Sequence, residues 1–279
     1  MNFQQLKNRL IEDLQEDIPG LKAKNDSFSI VRLKSKKNLV YELTYKRKPR
    51  NFPKEIVIKI FQTHNFQQEV NVLKLLNSQK INVPSIIFSR DPYLILEKVE
   101  GMNLCDYVNT SLVNAANLRD LDANTRKNLV QCMRKLATWL AELHKKNTRT
   151  QKDFSKAIVL NKGDTRLRDF IIDESEMKIF GVDFEESYEG NHMDDIAWIC
   201  CSLLDSNPGI FQMEEPTHKV ELINTFLQRY YLLNNTFKFS FDYFAEHLIE
   251  NLNLVIERRS MSTGPLRKRV ILERISKRF

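Results

Sequence analysis

The order of strand-like and helix-like segments restricts the folds that this chain can adopt. Between residues 28 and 97, β-branched and aromatic residues recur in short runs separated by polar turns, which is the pattern of β-strands. Five strands are predicted: Phe28–Leu33, Leu39–Tyr45, Glu55–Phe61, Ser85–Ser89 and Tyr93–Glu97. A helix is predicted after the third strand, over Phe66–Leu76, and another before the first, over Phe3–Asp17.

After Gly101 the pattern becomes helical. Four amphipathic helices are predicted, and a basic one ends the chain: Asn124–Lys146, Asp194–Leu204, Lys219–Leu232, Phe241–Ile256 and Pro265–Lys277. One hairpin, of strands Phe170–Ile172 and Lys178–Val182, interrupts them. We therefore predict a bilobal α+β fold. Residues 1–97 form a five-stranded antiparallel lobe with one helix and an extra N-terminal helix, and residues 98–279 form a mainly helical lobe with an embedded hairpin.

Composition excludes several classes of protein. Apolar residues make up 42% and charged residues 28% of 279 residues, so a packed core is expected and wholesale disorder is not. We see no signal-peptide pattern and no apolar run long enough to span a bilayer. The four cysteines match no metal motif, and two of them are adjacent, so free thiols in a cytoplasmic protein are expected.

The formal net charge of +7 is concentrated at the C-terminal end. Residues 258–279 contain eight Lys or Arg and one acidic residue, so this segment carries the whole excess. Such a segment could bind nucleic acid or an anionic membrane. We favour a packed helix instead, because Leu266, Val270, Ile271 and Ile275 form an apolar stripe.

A single lysine, Lys59, interrupts the apolar third strand. Strand alternation taken alone favours a side chain that faces solvent. A lysine pointing inward would need an acidic partner or a ligand to offset its burial, and Glu69 in the next helix could be that partner. The surface lysine and the paired internal lysine are both open at this point.

Three aspartates frame the predicted hairpin: Asp164 and Asp169 precede it, and Asp183 follows it. A hairpin brings its two ends together, so the three carboxylates can converge. Converging carboxylates repel one another unless a cation lies between them, although aspartates are also ordinary turn residues. Residues 183–195 contain six acids and no Lys or Arg, which fits a metal, a cationic substrate or a plain acidic loop.

Taken in order, these features resemble the aminoglycoside phosphotransferase/choline kinase superfamily, which has a protein-kinase-like fold. The resemblance runs from Phe28 to Leu204. The matching elements are the turn Ser35–Asn38 with the strand after it, Lys59, Glu69, Leu94–Gly101, Leu140–His144, Lys162–Asp169, Val182–Glu185 and Gly190–Ala197. Each motif is weak, and the ordered set with matching spacing is specific.

The resemblance implies a role for each of these residues. Lys59 would hold the phosphates of ATP and Glu69 would steady it. Asp164 would orient the acceptor hydroxyl, and Asp183 and Asp169 would bind Mg²⁺. Further ATP contacts would come from Asn38 and from the backbone of Glu97 and Val99, whereas Asp195 and Lys162 would support the loop around Asp164. His144 would be a packing residue at a helix end.

Three positions depart from the family pattern. Lys162 replaces a histidine, Asp169 replaces an asparagine, and the turn at residues 35–38 has no glycine. The first hypothesis is an ATP-dependent kinase that phosphorylates a hydroxyl of a small molecule. The acidic run of residues 183–195 suggests a cationic acceptor. The alternatives are a nucleotide-binding protein without transferase activity and a protein- or RNA-associated kinase that docks through the basic segment.

Overall fold

The structure is a computed structural model of the whole chain. It describes residues 3–18, 21, 28–35, 37–113, 115–149, 158–213, 215–262 and 272–279. The chain divides into two compact units, Met1–Asn77 with Pro84–Val99 and Ser78–Val83 with Glu100–Phe279. The sequence predicts a single boundary after Glu97, whereas in the structure the short segment 78–83 also belongs to the second unit.

The first unit contains one antiparallel sheet. Its strands are β1 (Phe28–Leu33), β2 (Leu39–Tyr45), β3 (Glu55–Ile60), β4 (Ile86–Arg90) and β5 (Tyr93–Glu97). They are ordered β1-β2-β3-β5-β4, and every neighbouring pair is antiparallel. The five predicted strands are confirmed, with ends that shift by at most one residue.

Two helices accompany this sheet, α1 (Phe3–Leu14) and α2 (Phe66–Ser78). Leu10 and Leu14 of α1 are buried in one cluster with apolar residues of β1, β2, β3 and β5. Arg90 of β4 donates a hydrogen bond to the carbonyl oxygen of Asp13 at 2.5 Å. The N-terminal helix is therefore part of the core of this unit, although it ends at Leu14 and not at the predicted Asp17.

The second unit is mainly helical. Its helices are α3 (Leu104–Ser111), α4 (Ala123–Lys146), α5 (His192–Asp205), α6 (Thr217–Leu233) and α7 (Phe241–Arg258). Helix α4 packs on α6, and α5 packs on α7. The carboxylate of Asp122 caps α4 by accepting hydrogen bonds from the N–H groups of Asn124 and Thr125. Four of these helices were predicted, and α3 was missed because it has only two turns.

The second unit also contains more strands than the sequence predicts. They are β6 (Met102–Asn103), β7 (Thr148–Arg149), β8 (Ile158–Asn161), β9 (Phe170–Asp173), β10 (Lys178–Gly181) and β11 (Tyr188–Asn191). They form two three-stranded sheets, ordered β10-β9-β6 and β11-β8-β7. The predicted hairpin is β9–β10, and β6 adds a third strand beside β9. The other strands have two to four residues, too few for an alternating pattern to be visible.

The predicted basic helix Pro265–Lys277 lies mostly outside the described residues. Within residues 272–279, Leu272 and Ile275 are buried, and the ring of Phe279 stacks on Tyr231 of α6 at 5.6 Å. The four cysteines are free, and all except the half-buried Cys105 are buried. No helix in the described ranges has the length and apolar composition needed to cross a membrane.

Candidate active site

Lys59 and Glu69 form a buried ion pair in the first unit. Nζ of Lys59 lies 2.6 Å from Oε2 of Glu69, and the two residues are 7% and 1% exposed. The ammonium group also lies 4.8 Å from the ring centroid of Phe61. The interpretation of Lys59 as a surface lysine is therefore wrong, because the α2 carboxylate supplies the charge that a buried lysine needs.

The turn before β2 is held by Asn38. Its Oδ1 accepts a hydrogen bond from the N–H of Gln62 at 3.1 Å, and its N–H donates to Oγ of Ser35 at 3.3 Å. Lys36 lies outside the described residues. At the other end of the unit, the N–H of Glu97 donates to the carbonyl oxygen of Ser85 at 3.0 Å. Glu97 could thus offer its carbonyl oxygen to an adenine ring, and its N–H is already used.

In the second unit, the buried carboxylate of Asp195 organises the loop after β8. Its oxygens accept hydrogen bonds from the N–H groups of Lys162 at 2.7 Å and Gly163 at 3.1 Å, and from the hydroxyl of Thr165. Nε2 of His144 lies 3.1 Å from the same carboxylate. Burial alone would raise the pKa of Asp195, but the hydrogen bonds outweigh it and hold that pKa below its ordinary value.

His144 does more than the packing role that the sequence suggested. It is buried at the end of α4, and its Nδ1 lies 2.7 Å from the hydroxyl of Tyr230 in α6. Since the Asp195 carboxylate must accept, Nε2 of His144 carries the proton and Nδ1 accepts from Tyr230. Three helices, α4, α5 and α6, are therefore joined to the loop through one chain of hydrogen bonds.

Lys162, which stands where the resembling family has histidine, is also buried, at 1% exposure. Its Nζ donates to the carbonyl oxygen of Asp183 at 2.9 Å. The ammonium group lies 5.4 Å from the ring centroid of Phe184 and 5.7 Å from that of Phe170. The side chain therefore ties the loop to the segment after β10, and it is not exposed to a phosphate group.

The backbone of this loop has an unusual geometry. Gly163 has φ +73°, and a Cβ there would lie 2.0 Å from the carbonyl oxygen of Glu186, so no other residue fits without a shift of backbone. Asp164 and Asp183 also have positive φ, at 41° and 64°. Left-handed backbone at non-glycine residues is often found at functional sites, where the surroundings enforce it.

The three aspartates of the hairpin ends interact electrostatically. The N–H of Val182 donates to the carbonyl oxygen of Asp169 at 3.0 Å, which closes the hairpin base. Burial, helped by the carboxylates of Asp183 and Asp164, raises the pKa of Asp169 to about 6 against the opposing effects of Lys162 and Arg166. Asp164 and Asp183 are thus within electrostatic range of Asp169 in the second unit.

Asp169→Asn should stabilise the metal-free protein at neutral pH. The folded pKa of about 6 exceeds the unfolded value of 3.8, so the native state binds the extra proton and its stability falls as pH rises between these values. Asparagine has no such titration, so the variant should gain up to about 3 kcal/mol near pH 7.5 and lose most of that advantage near pH 4.

Chemical denaturation in EDTA at the two pH values measures this difference. Asp173→Asn, in the exposed turn of the same hairpin, is the control, because its hydrogen bonds with Ser175 lower the pKa of Asp173. A gain from Asp169→Asn that is equal at both pH values would contradict the raised pKa of Asp169.

Asp164 is bound by two arginines. Nε of Arg166 donates to Oδ1 at 2.8 Å and Nη2 donates to Oδ2, which makes a bidentate pair. Nη1 of Arg258, the last residue of α7, lies 3.7 Å from Oδ1. Both guanidinium groups lie over the ring of Trp198, at 5.6 and 5.8 Å. Any ligand that hydrogen-bonds to the Asp164 carboxylate therefore shares it with Arg166.

The acidic run of residues 183–195 is not one acidic surface. Asp195 is internal, and Glu189 pairs with Arg149 at 2.7 Å. Asp194 accepts hydrogen bonds from the hydroxyls of Tyr188 at 3.0 Å and Tyr243 at 2.6 Å. Glu189 and Asp194 thus have partners that the sequence did not indicate.

Several residues of the site escaped sequence reasoning. They are Thr165, Arg166, Trp198, Tyr230 and Arg258. Arg166 follows Asp164 by two residues, so its proximity could have been noticed. Tyr230 and Arg258 come close through helix packing, and no local pattern indicates it.

No protein-family model and no curated protein matches the sequence. Solved structures do match. An aminoglycoside phosphotransferase from Streptomyces rimosus shares 11% identity, with a TM-score of 0.55 over 91% of this chain and 98% of that chain. Amicoumacin kinase in complex with AMP-PNP, Ca²⁺ and Ami shares 12% identity, with a TM-score of 0.55 over 95% of this chain and 91% of that chain.

An ethanolamine kinase from Plasmodium vivax shares 14% identity, with a TM-score of 0.52 over 95% of this chain and 85% of that chain. At such low identity the likeness concerns the fold. The two units, the Lys59–Glu69 pair and the loop bound by Asp195 are consistent with the resemblance that the motifs indicated. The chain has the kinase-like fold of the aminoglycoside phosphotransferase and choline/ethanolamine kinase structures.

Proposed function

We propose that this protein transfers the γ-phosphoryl group of ATP to a hydroxyl group of a small molecule. The observation that supports this most strongly is the loop Lys162–Asp169, in which Asp195 fixes the backbone beside three interacting carboxylates. Phosphoryl transfer requires positioned charges more than covalent chemistry, and this loop supplies them. The three solved structures compared above are an ethanolamine kinase, an amicoumacin kinase and an aminoglycoside phosphotransferase, which all act on small molecules.

The residues present fit a divalent cation. Asp169 and Asp183 offer carboxylate oxygens, the ligands that Mg²⁺ prefers. Burial and, to a smaller extent, the neighbouring carboxylates raise the pKa of Asp169, and a bound Mg²⁺ would offset the negative charge there and neutralise charge on the transferred phosphoryl group. Lys59, steadied by Glu69, would hold the phosphates. Asn38 and the backbone of Glu97 and Val99 would complete the nucleotide site.

In the reaction, Asp164 would orient the acceptor hydroxyl and accept its proton. The acceptor oxygen forms a bond to the γ-phosphorus while the bond to the bridging oxygen of ADP breaks, and ADP leaves with that electron pair. Arg166 holds the Asp164 carboxylate at 2.8 Å, which fixes its orientation.

The same contact favours a second candidate, a nucleotide-binding protein that does not transfer phosphate. Both oxygens of the Asp164 carboxylate already accept hydrogen bonds from Arg166, so an acceptor hydroxyl would have to share them. Asp169→Asn separates the two candidates. A large gain in turnover would indicate a degenerate site, and a loss would show that the aspartate is used.

A thermal-shift titration with ATP and with Mg-ATP tests nucleotide binding. At saturating Mg-ATP we expect stabilisation of about 3 kcal/mol, or about 5–10 °C, and a much smaller shift with ATP alone. Asp183→Asn should lose most of the magnesium-dependent part. Glu186→Gln, an exposed neighbouring acid, is the matched control and should behave like the wild type. Equal shifts in all three proteins would contradict the assignment of Asp183 to the metal.

A further inference from the structure

The carboxylate that would receive the acceptor hydroxyl lies among positive charges. Asp164 contacts Arg166 at 2.8 Å and Arg258 at 3.7 Å, so two cations share one anion. The side chain of Asp164 is 30% exposed and that of Arg258 is 46% exposed, so both can be reached from solvent. A molecule whose hydroxyl binds Asp164 must place its neighbouring substituents close to these guanidinium groups.

We infer that the acceptor is an anionic small molecule, with a carboxylate or phosphate group near the hydroxyl that is phosphorylated. This inference rests on the proposed function and specifies its substrate class. Guanidinium groups attract an anion and repel a cation at this range, and their planar donors match carboxylate and phosphate oxygens. A cationic acceptor, which the acidic run had suggested, would face two arginines beside Asp164.

Arg258 is the residue placed to bind that anionic group. Its contact with Asp164 is long, and Arg166 already satisfies both oxygens of the carboxylate. Arg258 can therefore turn to a ligand without leaving Asp164 unpaired. The adjacent Arg259 has a different partner, because its Nη2 lies 2.5 Å from the carboxylate of Asp205.

Among the described residues, the charged side chains in contact with Asp164 are the two arginines. Arg166 pairs with both carboxylate oxygens, and Nη1 of Arg258 lies 3.7 Å from Oδ1. On α5, Asp194 is held by two tyrosine hydroxyls and Asp205 by Arg259. The carboxylates of Asp169 and Asp183, which also interact with this loop, are the proposed ligands of Mg²⁺, and the cation would offset their charge.

Trp198 supplies an apolar surface at the same place. Its indole is half-buried and contacts both guanidinium groups. It follows Asp195 by three residues on α5, so the helix that fixes the loop also fixes this ring. The ring therefore holds both guanidinium groups beside the Asp164 carboxylate, where an anionic group of the acceptor would meet them.

Transfer of labelled γ-phosphate from Mg-ATP tests the inference. A deproteinised metabolite extract of the host is separated into fractions retained by an anion exchanger, retained by a cation exchanger, and retained by neither. We expect labelled product from the anionic fraction. Product from the cationic or neutral fraction alone would overturn the inference and leave the proposed function intact. Product from no fraction would contradict the proposed function, and the inference with it.

The fraction that yields labelled product is then assayed at increasing concentration with two variants. Arg258→Gln should raise the KM for the acceptor by about tenfold or more and leave the KM for Mg-ATP unchanged. Arg274→Gln is the matched control, because Arg274 is equally exposed and pairs with Glu215 away from Asp164. An unchanged acceptor KM in Arg258→Gln would overturn the inference.

Discussion

Asp164→Asn should lower kcat by about 10²–10⁴-fold and leave the affinity for Mg-ATP nearly unchanged. The substitution keeps the size of the side chain and one oxygen for Arg166, but asparagine cannot accept the proton of the acceptor hydroxyl. The measurement is steady-state ADP formation with the accepted metabolite fraction, together with the thermal shift produced by Mg-ATP.

The matched control for this prediction is Asp173→Asn, since Asp173 lies at the exposed hairpin turn and outside the proposed site. It should keep wild-type kcat. If Asp164→Asn retained turnover within a factor of about three, Asp164 would not be the group that receives the proton.

The second large effect concerns stability. Asp195→Ala should lower the free energy of unfolding by about 3–5 kcal/mol, because two backbone N–H groups, the hydroxyl of Thr165 and the imidazole of His144 all lose their acceptor inside the core. For a chain of this size the loss corresponds to a decrease of about 10 °C in Tm. Denaturant titration and calorimetry measure it.

Asp194→Ala is the control, since its carboxylate is adjacent in sequence but accepts bonds from two tyrosine hydroxyls nearer the surface. It should cost about 1 kcal/mol or less. The folded pKa of Asp195 is lowered, so its contribution is present above about pH 4 and is lost as pH falls below that value. Equal losses from the two variants, or a loss that persists unchanged in acid, would contradict the bracing role of Asp195.

Much of the fold could be predicted from local patterns. β1, β2 and β5 have the predicted ends, and α4 differs from the prediction by one residue. In these segments the apolar period of two or of 3–4 residues extends over enough positions to be visible. β6, β7, β8 and β11 were missed because a strand of two to four residues has no measurable period and forms only where a partner strand is supplied.

For the candidate site, too, local motifs predicted some features and only the tertiary structure showed the others. The motifs predicted Asp164, Asp169 and Asp183 from short loops and Asp195 from the first turn of α5, because such residues occur at fixed positions in these segments. The environment of these groups could not be predicted. Alternation alone placed Lys59 at the surface, but the α2 carboxylate makes its burial possible.

The order of the elements and the identity of the loop aspartates are local properties, so the amino-acid sequence specified them. The electrostatics of the loop are long-range properties. Tyr230 reaches His144 because α6 packs on α4, and Arg258 reaches Asp164 from the last residue of α7, a helix that packs on α5. The sign of the charge beside Asp164, and with it the inferred class of acceptor, follows from helix packing, which no local pattern records.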